Sequence, residues 1–592
     1  YEISLGLVGS EMCIRDSFRP DVTILKTISK YRRAQFMYTL EKVINDLSYD
    51  EVVFYESPRS ELGDLTTNAA FKIAKKENLK PEAVAERIKA RIEKSSWVAS
   101  VQIIRGYVNV FLDRGLFTRM VLDEAMHENY GARDVGKGKT IVIDYSSPNV
   151  ARPMHVGHLR STVIGGSLYR IYSLLGYKVV GINYLGDVGT QFGKLIYAYK
   201  KWANPKALEE NPVRELFRLY VKFHSEAEKS PELEEVAKAE YRKLEEGEAE
   251  HVELWRKFRA LSIKSFKKVY NLFGIEFDEI SGESFYIEEA KKLTKELLER
   301  GIAKIGEKGE KKNAVVADLE KWGLNHPVLL KSDGTTLYLS RDLAALVDRC
   351  RKYSFHAAIY VVGREQILHF KQLFKIAELM ELPCKNLHHL SFGHLRLPEG
   401  KMSTRKGRVV FAEEVLERAI SLAREEIKKR WNEDRPEDAL KIGVAAVAYA
   451  ILKSEPEKDI IFKWEKILSF EGETGPYLQY SLTRAKKILE KAGVESSKLP
   501  ENFTVDSYEW ELVKAIARFP RITLQAAEKM RPHLVAKYAF SLADAFNKFY
   551  EKCPVLRSPP EKLGLRLSLV KAFYNTMKQT LYLLLIPEPE RM

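Results

Sequence analysis

From about residue 138, the apolar positions alternate between strand-like and helix-like spacing. Residues 141–143 are a β-branched run, typical of a buried parallel strand. Helical spacing runs from His158 to a stop at Gly176, and residues 178–184 form the next apolar run. Strand, helix and strand in this order predict a right-handed βαβ unit within a doubly wound parallel sheet of the α/β class.

The regions on either side have other patterns and predict separate domains. Residues 18–125 combine helical spacing with two apolar runs around a short turn, which predicts a small N-terminal α/β domain. Residues 136–435 should hold the parallel sheet, with long charge-laced helices over about 200–310 forming a helical insertion. That insertion is either a partner surface or a solvent-facing helix pair. Strand signals vanish after about residue 440, so residues 440–592 predict an all-α bundle.

Composition narrows the class of protein. Hydrophobic residues make up 45% and charged residues 30%, as in globular proteins, and no apolar run reaches membrane-spanning length. The net charge of +14 favours an acidic partner such as nucleic acid, although both signs of charge are interleaved. Four scattered cysteines fit a reducing, cytoplasmic location and argue against a zinc knuckle or a disulfide framework: Cys13, Cys350, Cys384 and Cys553. Residues 1–17 lack a signal-peptide layout and are expected to be a non-native or disordered leader.

Two polar strings stand out against this background. The first is His155-Val156-Gly157-His158, and the second, far downstream, is the lysine-rich string Lys401-Met402-Ser403-Thr404-Arg405-Lys406-Gly407. The first string begins the predicted helix, where both histidines share one face and the helix N-terminus favours an anion. We interpret the pair as a triphosphate site that the lysine-rich string closes. The alternative is two surface histidines and a solvated basic turn.

Further strings follow in a fixed order. They are SPNVA at 147–151, GDVGTQFG at 186–193, VGREQILHF at 362–370, GPYLQY at 475–480 and ADAFNKFY at 543–550. With the two polar strings, they make the chain similar to the arginyl-tRNA synthetase family of class I aminoacyl-tRNA synthetases, from about residue 50 to the C-terminus. The resemblance implies a Rossmann-like catalytic domain, an N-terminal tRNA-binding domain and a C-terminal anticodon-binding bundle.

The resemblance also implies the reaction. Such an enzyme activates L-arginine with ATP, giving arginyl-adenylate and pyrophosphate, and transfers arginine to the 3′-terminal ribose of its tRNA, with Mg²⁺ on the phosphates. A monomer without a membrane partner is expected. The implied ATP-binding residues are His155, Gly157, His158, Lys401, Met402 and Ser403. Among them, His155, His158 and Lys401 would stabilise the charge of the transition state.

A guanidinium needs a planar carboxylate and an aromatic or amide wall. Tyr338 and Asp342 lie four residues apart on one face of a predicted helix. By resemblance, these two and Gln366 bind the guanidinium of arginine, while Asp144 and Asn149 hold its α-ammonium. The alternative for Asp342 is a surface carboxylate that pairs with its neighbour Arg341.

The lysine-rich string departs from the broad class I pattern, because Thr404 stands where a second lysine is usual. The transition state then lacks one cation. Arg152 is our candidate for the replacement, since it lies three residues before His155. Lys406, with Arg405, is the alternative, and Arg152 would then be an ordinary solvent-exposed arginine.

Two other functions fit part of the sequence. A small-molecule nucleotidyltransferase or ligase could use the same histidines, but it would need neither the N-terminal domain nor the C-terminal bundle. A catalytically inactive relative could act as an RNA-binding or scaffold protein. The intact His155, His158 and Lys401 argue against that second alternative.

Overall fold

The computed structural model describes residues 38–307, 309–396, 410–493 and 499–592. Within these ranges the chain forms two compact units. The first comprises the described residues up to Val135 with those of Ala485–Leu534 and Asp544–Met577, and the second comprises those of Gly136–Arg484, Val535–Ala543 and Lys578–Met592. The C-terminal helices therefore contribute to both units.

The first unit is built on an antiparallel sheet with the strand order β1-β2-β4-β3. Its strands are β1 (Tyr55–Glu56), β2 (Leu65–Thr67), β3 (Val98–Ile104) and β4 (Tyr107–Leu112), and its N-terminal helices are α1 (Thr39–Leu47), α2 (Ala69–Glu77), α3 (Pro81–Ile92) and α4 (Arg114–Ala125). The predicted hairpin is confirmed. Arg105 and Gly106 make its turn with positive φ values of 51° and 83°, a conformation that glycine adopts at little cost.

The second unit contains most of the remaining strands and helices. Its strands are β5 (Thr140–Asp144), β6 (Lys178–Leu185), β7 (Glu279–Gly282), β8 (Ala303–Ile305), β9 (Val315–Ala317), β10 (Val328–Leu330), β11 (Ala357–Gly363), β12 (Leu387–Phe392), β13 (Leu395–Arg396) and β14 (Ile460–Ile461). Its helices are α5 (Val156–Leu174), α6 (Gln191–Trp202), α7 (Pro205–Glu210), α8 (Pro212–Lys229), α9 (Leu233–Glu245), α10 (Ala249–Phe273), α11 (Ile287–Glu299), α12 (Tyr338–Tyr353), α13 (Ile367–Leu379), α14 (Ala412–Trp431), α15 (Pro436–Leu452) and α16 (Trp464–Ile467). The C-terminal helices are α17 (Gly475–Ala492), α18 (Ser507–Ala517), α19 (Phe519–Glu528), α20 (His533–Lys552) and α21 (Pro560–Leu583).

A five-stranded parallel sheet organises the second unit, with the order β12-β11-β5-β6-β7. Helix α5 connects β5 to β6, which confirms the predicted βαβ unit. The strand order reverses between β5 and β11, so the sheet is doubly wound. Ligands of such sheets bind outside the carboxyl ends of the strands at this switch point. The histidine string, which follows β5, lies at that edge.

Short strands account for most differences from the sequence prediction. Strand β7 joins the main sheet and β8 joins a small antiparallel sheet with β9 and β10, although both lie within the range predicted as a helical insertion. Strand β14, which pairs with β13, lies inside the region that was predicted to be all-α. Strands of two to four residues carry too little periodic signal to be recognised. The continuous helical part of the insertion is α6 to α10.

The N-terminal domain shares its core with the C-terminal helices of the same unit. The indole Nε1 of Trp510, on α18, donates to Asp64 Oδ1 at 2.8 Å. The ring of Trp510 also meets that of Phe117, on α4, with centroids 5.4 Å apart. Trp510 is 2% exposed. The sequence pattern of separate domains did not reveal this shared core.

The structure also departs from the expectation for the cysteines. Cys350, on α12, and Cys384, after α13, form a disulfide with their Cα atoms 5.9 Å apart, whereas the sequence argued against any disulfide framework. The fold brings together two residues that lie 34 positions apart, which sequence spacing could not show. Cys553 is free and buried, and Cys13 lies outside the described residues. None of the described helices has the length and apolar character needed to cross a membrane.

Arg160 fixes the N-terminal half of α5. Its side chain is fully buried, at 0% exposure. The guanidinium donates to four backbone carbonyls, those of Gly393 at 2.5 Å, His394 at 3.1 Å, Pro456 at 2.8 Å and Lys458 at 2.6 Å. These carbonyls belong to two loops, and the first loop leads towards the lysine-rich string. Arg160 therefore attaches the start of that segment to the histidine helix.

We expect Arg160→Met to lower the free energy of unfolding by at least about 3 kcal/mol, because four buried carbonyls lose a charged donor. The melting temperature, followed by calorimetry, should fall by several degrees. Arg424→Met is the control, since Arg424 pairs with Asp434 at the surface with half of its side chain exposed. Equal melting temperatures for the two variants would contradict this role of Arg160.

Candidate active site

The two histidines form the cap of α5. His155 is the N-cap residue, and its Nδ1 accepts the backbone N–H groups of Gly157 at 3.1 Å and His158 at 3.4 Å. The Nδ1 of His158 accepts the backbone N–H of His155 at 3.3 Å. The two rings stack with centroids 3.6 Å apart. Both Nδ1 atoms are thus used within the cap, and the Nε2 atoms are left to meet a ligand.

The environment keeps both imidazoles neutral. Burial, with help from the Arg152 guanidinium, lowers the pKa of His155 to about 4. Burial also holds the pKa of His158 well below its ordinary value, and His155 and Arg152 add to the effect. Because Nδ1 is an acceptor, the proton of each neutral ring sits on Nε2. Each ring therefore presents an N–H donor and carries no charge near pH 7.

This arrangement changes the expected anion site. The sequence predicted that the helix N-terminus favours an anion, but the Nδ1 atom of His155 already accepts two of its backbone N–H groups. The reason is local, since an N-cap side chain with an acceptor atom satisfies the first-turn donors of its own helix. Any anion bound here would meet imidazole N–H groups before it met these two amides.

The lysine-rich string, which includes Lys401, Met402, Ser403 and Lys406, lies outside the described residues. The chain on both sides of it reaches the histidine helix. After the string, Phe411 forms an antiparallel bridge with His155, and the N–H of Val156 donates to the carbonyl of Val410 at 3.2 Å. Before the string, Arg160 holds the carbonyls of two loop residues. Both flanks are therefore attached to α5 or to its cap.

Arg152 lies in the loop that enters α5, with its side chain half-buried. Its Nη2 donates to Gln191 Oε1 at 2.8 Å, and its guanidinium lies 4.4 Å from the centre of the Tyr220 ring. The positive charge is near enough to lower the pKa of both histidines. Arg152 is thus a fixed cation beside the histidine cap, and the alternative of an ordinary solvent-exposed arginine does not describe it.

Asp144 is engaged within the protein. This last residue of β5 is 5% exposed. Its Oδ2 lies 2.8 Å from Nη1 of Arg349, and its Oδ1 accepts the Ser147 hydroxyl at 2.8 Å. Burial opposes the charge of Arg349, but Asp144 and three nearby tyrosines outweigh it and raise the pKa of Arg349. Asp144 stays our prediction for the α-ammonium of arginine, as a carboxylate that already has two partners within the protein. A buried carboxylate needs a partner, and Arg349 supplies it.

The structure brings together Asp342, Tyr338 and a residue that sequence reasoning overlooked. The Oδ2 of Asp342 lies 2.7 Å from Nε2 of His369, on α13. The ring of Tyr338, itself 56% exposed, lies 5.1 Å from the imidazole. Asp342 is also close enough to Asp144 to raise the pKa of that carboxyl, although burial is the larger cause. Arg341 does not pair with Asp342, because its guanidinium binds Glu283 instead.

The other two expected arginine ligands lie on neighbouring segments. Gln366 is exposed at the N-cap of α13, three residues before His369. Asn149 follows β5 and forms a parallel bridge with Gly186. A Cβ atom at Gly186 would lie 2.3 Å from Asn149 Oδ1, so a larger residue there would displace the Asn149 side chain. No contact brings Gln366 or Asn149 to Asp342 among the described residues.

His369 and Arg349 are the two residues of this region that the sequence did not identify, and they differ in how far it could have done so. His369 lies in the string at 362–370, one helical turn after Gln366, so its face could have been inferred. Arg349 lies two turns after Asp342 on α12, but nothing in the local pattern shows that it reaches β5. Long-range pairing of this kind depends on how α12 packs on the sheet.

Three family models match successive parts of the chain. They are described as "Arginyl tRNA synthetase N terminal domain" over residues 32–112, "tRNA synthetases class I (R), catalytic domain" over residues 121–464 and "DALR anticodon binding domain" over residues 478–592. The catalytic match alone covers more than half of the chain.

Individual relatives match over nearly the whole length. An arginine–tRNA ligase of Clostridioides difficile (strain 630) is 43% identical over 561 residues, which cover 93% of this chain and 98% of the relative. Another, from Halothermothrix orenii, is 41% identical with the same coverage. Among solved structures, the Thermus thermophilus arginyl-tRNA synthetase has a TM-score of 0.78 at 27% identity, covering 94% of this chain and 99% of its own.

These matches confirm the resemblance, the fold class and the reaction that the sequence strings implied. ATP, arginine and tRNA are the substrates of that reaction. The chain belongs to the arginyl-tRNA synthetase family, class I enzymes that activate arginine with ATP and join it to tRNA.

Proposed function

We propose that arginine is activated at the edge of the sheet where the histidine cap follows β5. The observation that supports this most is the pair of neutral, stacked histidines whose Nε2 atoms are left for a ligand beside the fixed cation Arg152. The Nε2–H groups of His155 and His158 would donate to phosphate oxygens of ATP. Gly157 belongs to this site because a Cβ there would lie 2.8 Å from the His155 ring.

The chemistry requires positioning and charge stabilisation. The carboxylate of arginine attacks the α-phosphorus of ATP in line, pyrophosphate leaves, and arginyl-adenylate remains. We assign Lys401 to the developing charge and Met402 and Ser403 to ATP binding, because both flanks of their string reach α5. Mg²⁺ would enter as part of the ATP substrate, since phosphate oxygens are ligands that it prefers.

For arginine itself, we propose that Asp342 pairs with the guanidinium, with Tyr338 as its aromatic wall and Gln366 as an additional polar contact. His369 would act as a positioning residue, because its bond to Oδ2 leaves Oδ1 of Asp342 for the ligand. Asn149 would hold the α-ammonium. Asp144, which Arg349 fixes at the end of β5, would be the second contact to the α-ammonium.

We further propose that the enzyme acts in the cytoplasm as a monomer. The large apolar side chains exposed among the described residues are spread over many elements, such as Phe285, Ile461 and Leu79, which supports a monomer. The disulfide between Cys350 and Cys384 would be reduced in that compartment. Light scattering during size-exclusion chromatography tests the oligomeric state, and a dimer mass would refute the monomer.

The N-terminal domain at 18–125 and the helices at 440–592 are proposed to bind tRNA, the latter at the anticodon. Deleting residues 18–125 would expose the core around Trp510, so it would not separate binding from folding. Surface substitutions on the domain, with the KM for tRNA as the measurement, are the cleaner test. An unchanged KM across such substitutions would refute the role of the N-terminal domain.

Pyrophosphate exchange tests the assignment as a whole. It should be measured with each of the twenty amino acids, with and without tRNA. Exchange with arginine alone is expected, and charging of arginine-accepting tRNA should follow. A nucleotidyltransferase of another class would show no amino-acid dependence, and an inactive relative would show no exchange at all.

Asp342→Asn should reduce transition-state stabilisation for arginine by about 2–5 kcal/mol, because it removes the charge opposite the guanidinium. The measurement is kcat/KM for arginine in pyrophosphate exchange. Asp348→Asn, on the same helix, is the matched control, since Asp348 accepts from the Tyr286 hydroxyl at 3.1 Å and belongs to no proposed ligand site. A loss of less than threefold in Asp342→Asn would show that another group binds the guanidinium.

His369→Phe should raise the KM for arginine about tenfold with little change in kcat, because it removes the donor that orients Asp342. His369→Gln retains a donor and should recover most of the affinity. The comparison separates positioning from packing. If both variants have the same KM and differ only in melting temperature, His369 has a structural role alone.

Arg152→Ala should lower kcat for arginine activation by about ten- to a thousand-fold, with a smaller effect on the KM for arginine, because one phosphate cation is removed. Arg152→Lys should retain much of the rate, since a point charge suffices for phosphate. Normal activation by Arg152→Ala together with loss in Lys406→Ala would assign the compensating charge to the lysine-rich string.

A further inference from the structure

A groove of about 820 Å³ runs along the exposed face of α10. Of the ten residues that line it, five are Lys or Arg and none is acidic. Arg256, Lys264, Lys267 and Lys268 are all exposed. At 1.5 Å per residue, Arg256 and Lys267 lie about 16 Å apart along the helix axis. The groove therefore carries an extended row of positive charge.

This row differs from an ordinary solvated surface. None of its four exposed cations forms an ion pair with any residue in the described ranges. Helices of the same unit neutralise their lysines locally, since Lys229 pairs with Glu226 and Lys238 with Glu235. Unpaired charge of one sign in a concave surface attracts a polyanion.

One end of the groove is aromatic. Phe285 is 61% exposed, so most of its apolar side chain faces the groove's solvent-accessible side. The Arg259 guanidinium lies 5.3 Å from the centre of its ring. Trp255 lines the same end, with its Nε1 donating to the carbonyl of Asp187 at 2.9 Å. Unpaired nucleobases stack on aromatic rings while cations bind the backbone, which is how single strands are bound without sequence readout.

The aromatic end also lies next to the proposed arginine site. Arg259 Nε binds Asp187 Oδ2 at 3.3 Å, while its Nη2 is buried without a hydrogen-bond partner. Asp187 also accepts the Ser284 hydroxyl at 2.8 Å. The neighbouring Glu283 binds Arg341, which adjoins Asp342. A strand that follows the groove would thus reach the edge of the site.

We propose that the α10 groove binds the single-stranded 3′ end of tRNA, with phosphates along the cationic row and a base against Phe285. The proposal rests on the proposed function, because the 3′-terminal ribose has to reach the activated arginine. The aromatic end favours RNA over an acidic peptide, which would use the cations alone. A duplex is disfavoured, because stacking on Phe285 requires an unpaired base.

The test uses the full-length protein and a fluorescent single-stranded RNA of eight nucleotides that carries the 3′-terminal sequence of tRNA. The K264Q/K267Q double variant should weaken its binding at least tenfold and reduce the slope of log Kd against log salt by roughly 1.4, as expected for two single-strand phosphates. Phe285→Ala should weaken binding about 5- to 100-fold. K291Q/K292Q, which removes the same charge on α11, is the matched control and should bind as the unmodified protein does.

Two competitors decide what occupies the groove. A duplex RNA of equal length and a polyglutamate peptide should each displace the probe poorly. If polyglutamate competes as well as the unlabelled strand, the groove is an acidic-peptide site, and if the duplex does, the single-strand assignment fails. Equal binding by K264Q/K267Q and K291Q/K292Q also overturns the proposal. Arginine-dependent pyrophosphate exchange by the unmodified protein is measured in parallel, with and without full-length tRNA. Its absence under both conditions would count against the proposed function and leave the groove result independent.

Discussion

The buried guanidinium of Arg160 is the interaction on which the arrangement of the second unit depends. It lies on α5, one turn after His155, and binds carbonyls from two loops that are more than 60 residues apart in sequence. One loop leads to the lysine-rich string, whose far flank returns to pair with His155. A charged donor without solvent is tolerated only when its environment satisfies it. The four carbonyls satisfy the two terminal nitrogens, while the buried Nε has no hydrogen-bond partner among the described residues. In accepting these bonds, the carbonyls fix both loops relative to the histidine cap.

The neutral histidines place a constraint on the electrostatics of the site. Two imidazoles that stack and share a helix cap cannot both be protonated at low cost, and burial lowers the pKa of each. They can direct hydrogen bonds, but they add no positive charge. The charge that balances a triphosphate has to come from neighbouring side chains. Arg152 is a described cation close enough to lower the pKa of both histidines, and Lys401 and Lys406 are the candidates from the string.

The sequence predicted those parts of the fold that have a local cause. The β5–α5–β6 unit, the N-terminal hairpin and the position of the histidines follow from periodicity and turn residues. The pairing of Asp144 with Arg349 and the contact between Asp342 and His369 do not, because each joins elements that only the packed sheet brings together. The same holds for Trp510 against Phe117 and for the cysteine pair. The family resemblance named Asp342 and Asp144, but their partners required coordinates.

The buried pair of Asp144 and Arg349 limits which substitutions this sequence can accept during evolution. Either residue changed alone leaves the other charge in a site with almost no solvent, which is far more costly than losing both. An exchange to an apolar pair is therefore reachable only through an intermediate that folds poorly. Among related chains, substitutions at these two positions should occur together, and Tyr184 and Tyr360, whose rings lie 5.1 and 5.7 Å from the Arg349 guanidinium, should be found to vary with them. A few buried electrostatic contacts of this kind can preserve the residues of a site while the sequence of the surrounding surface diverges.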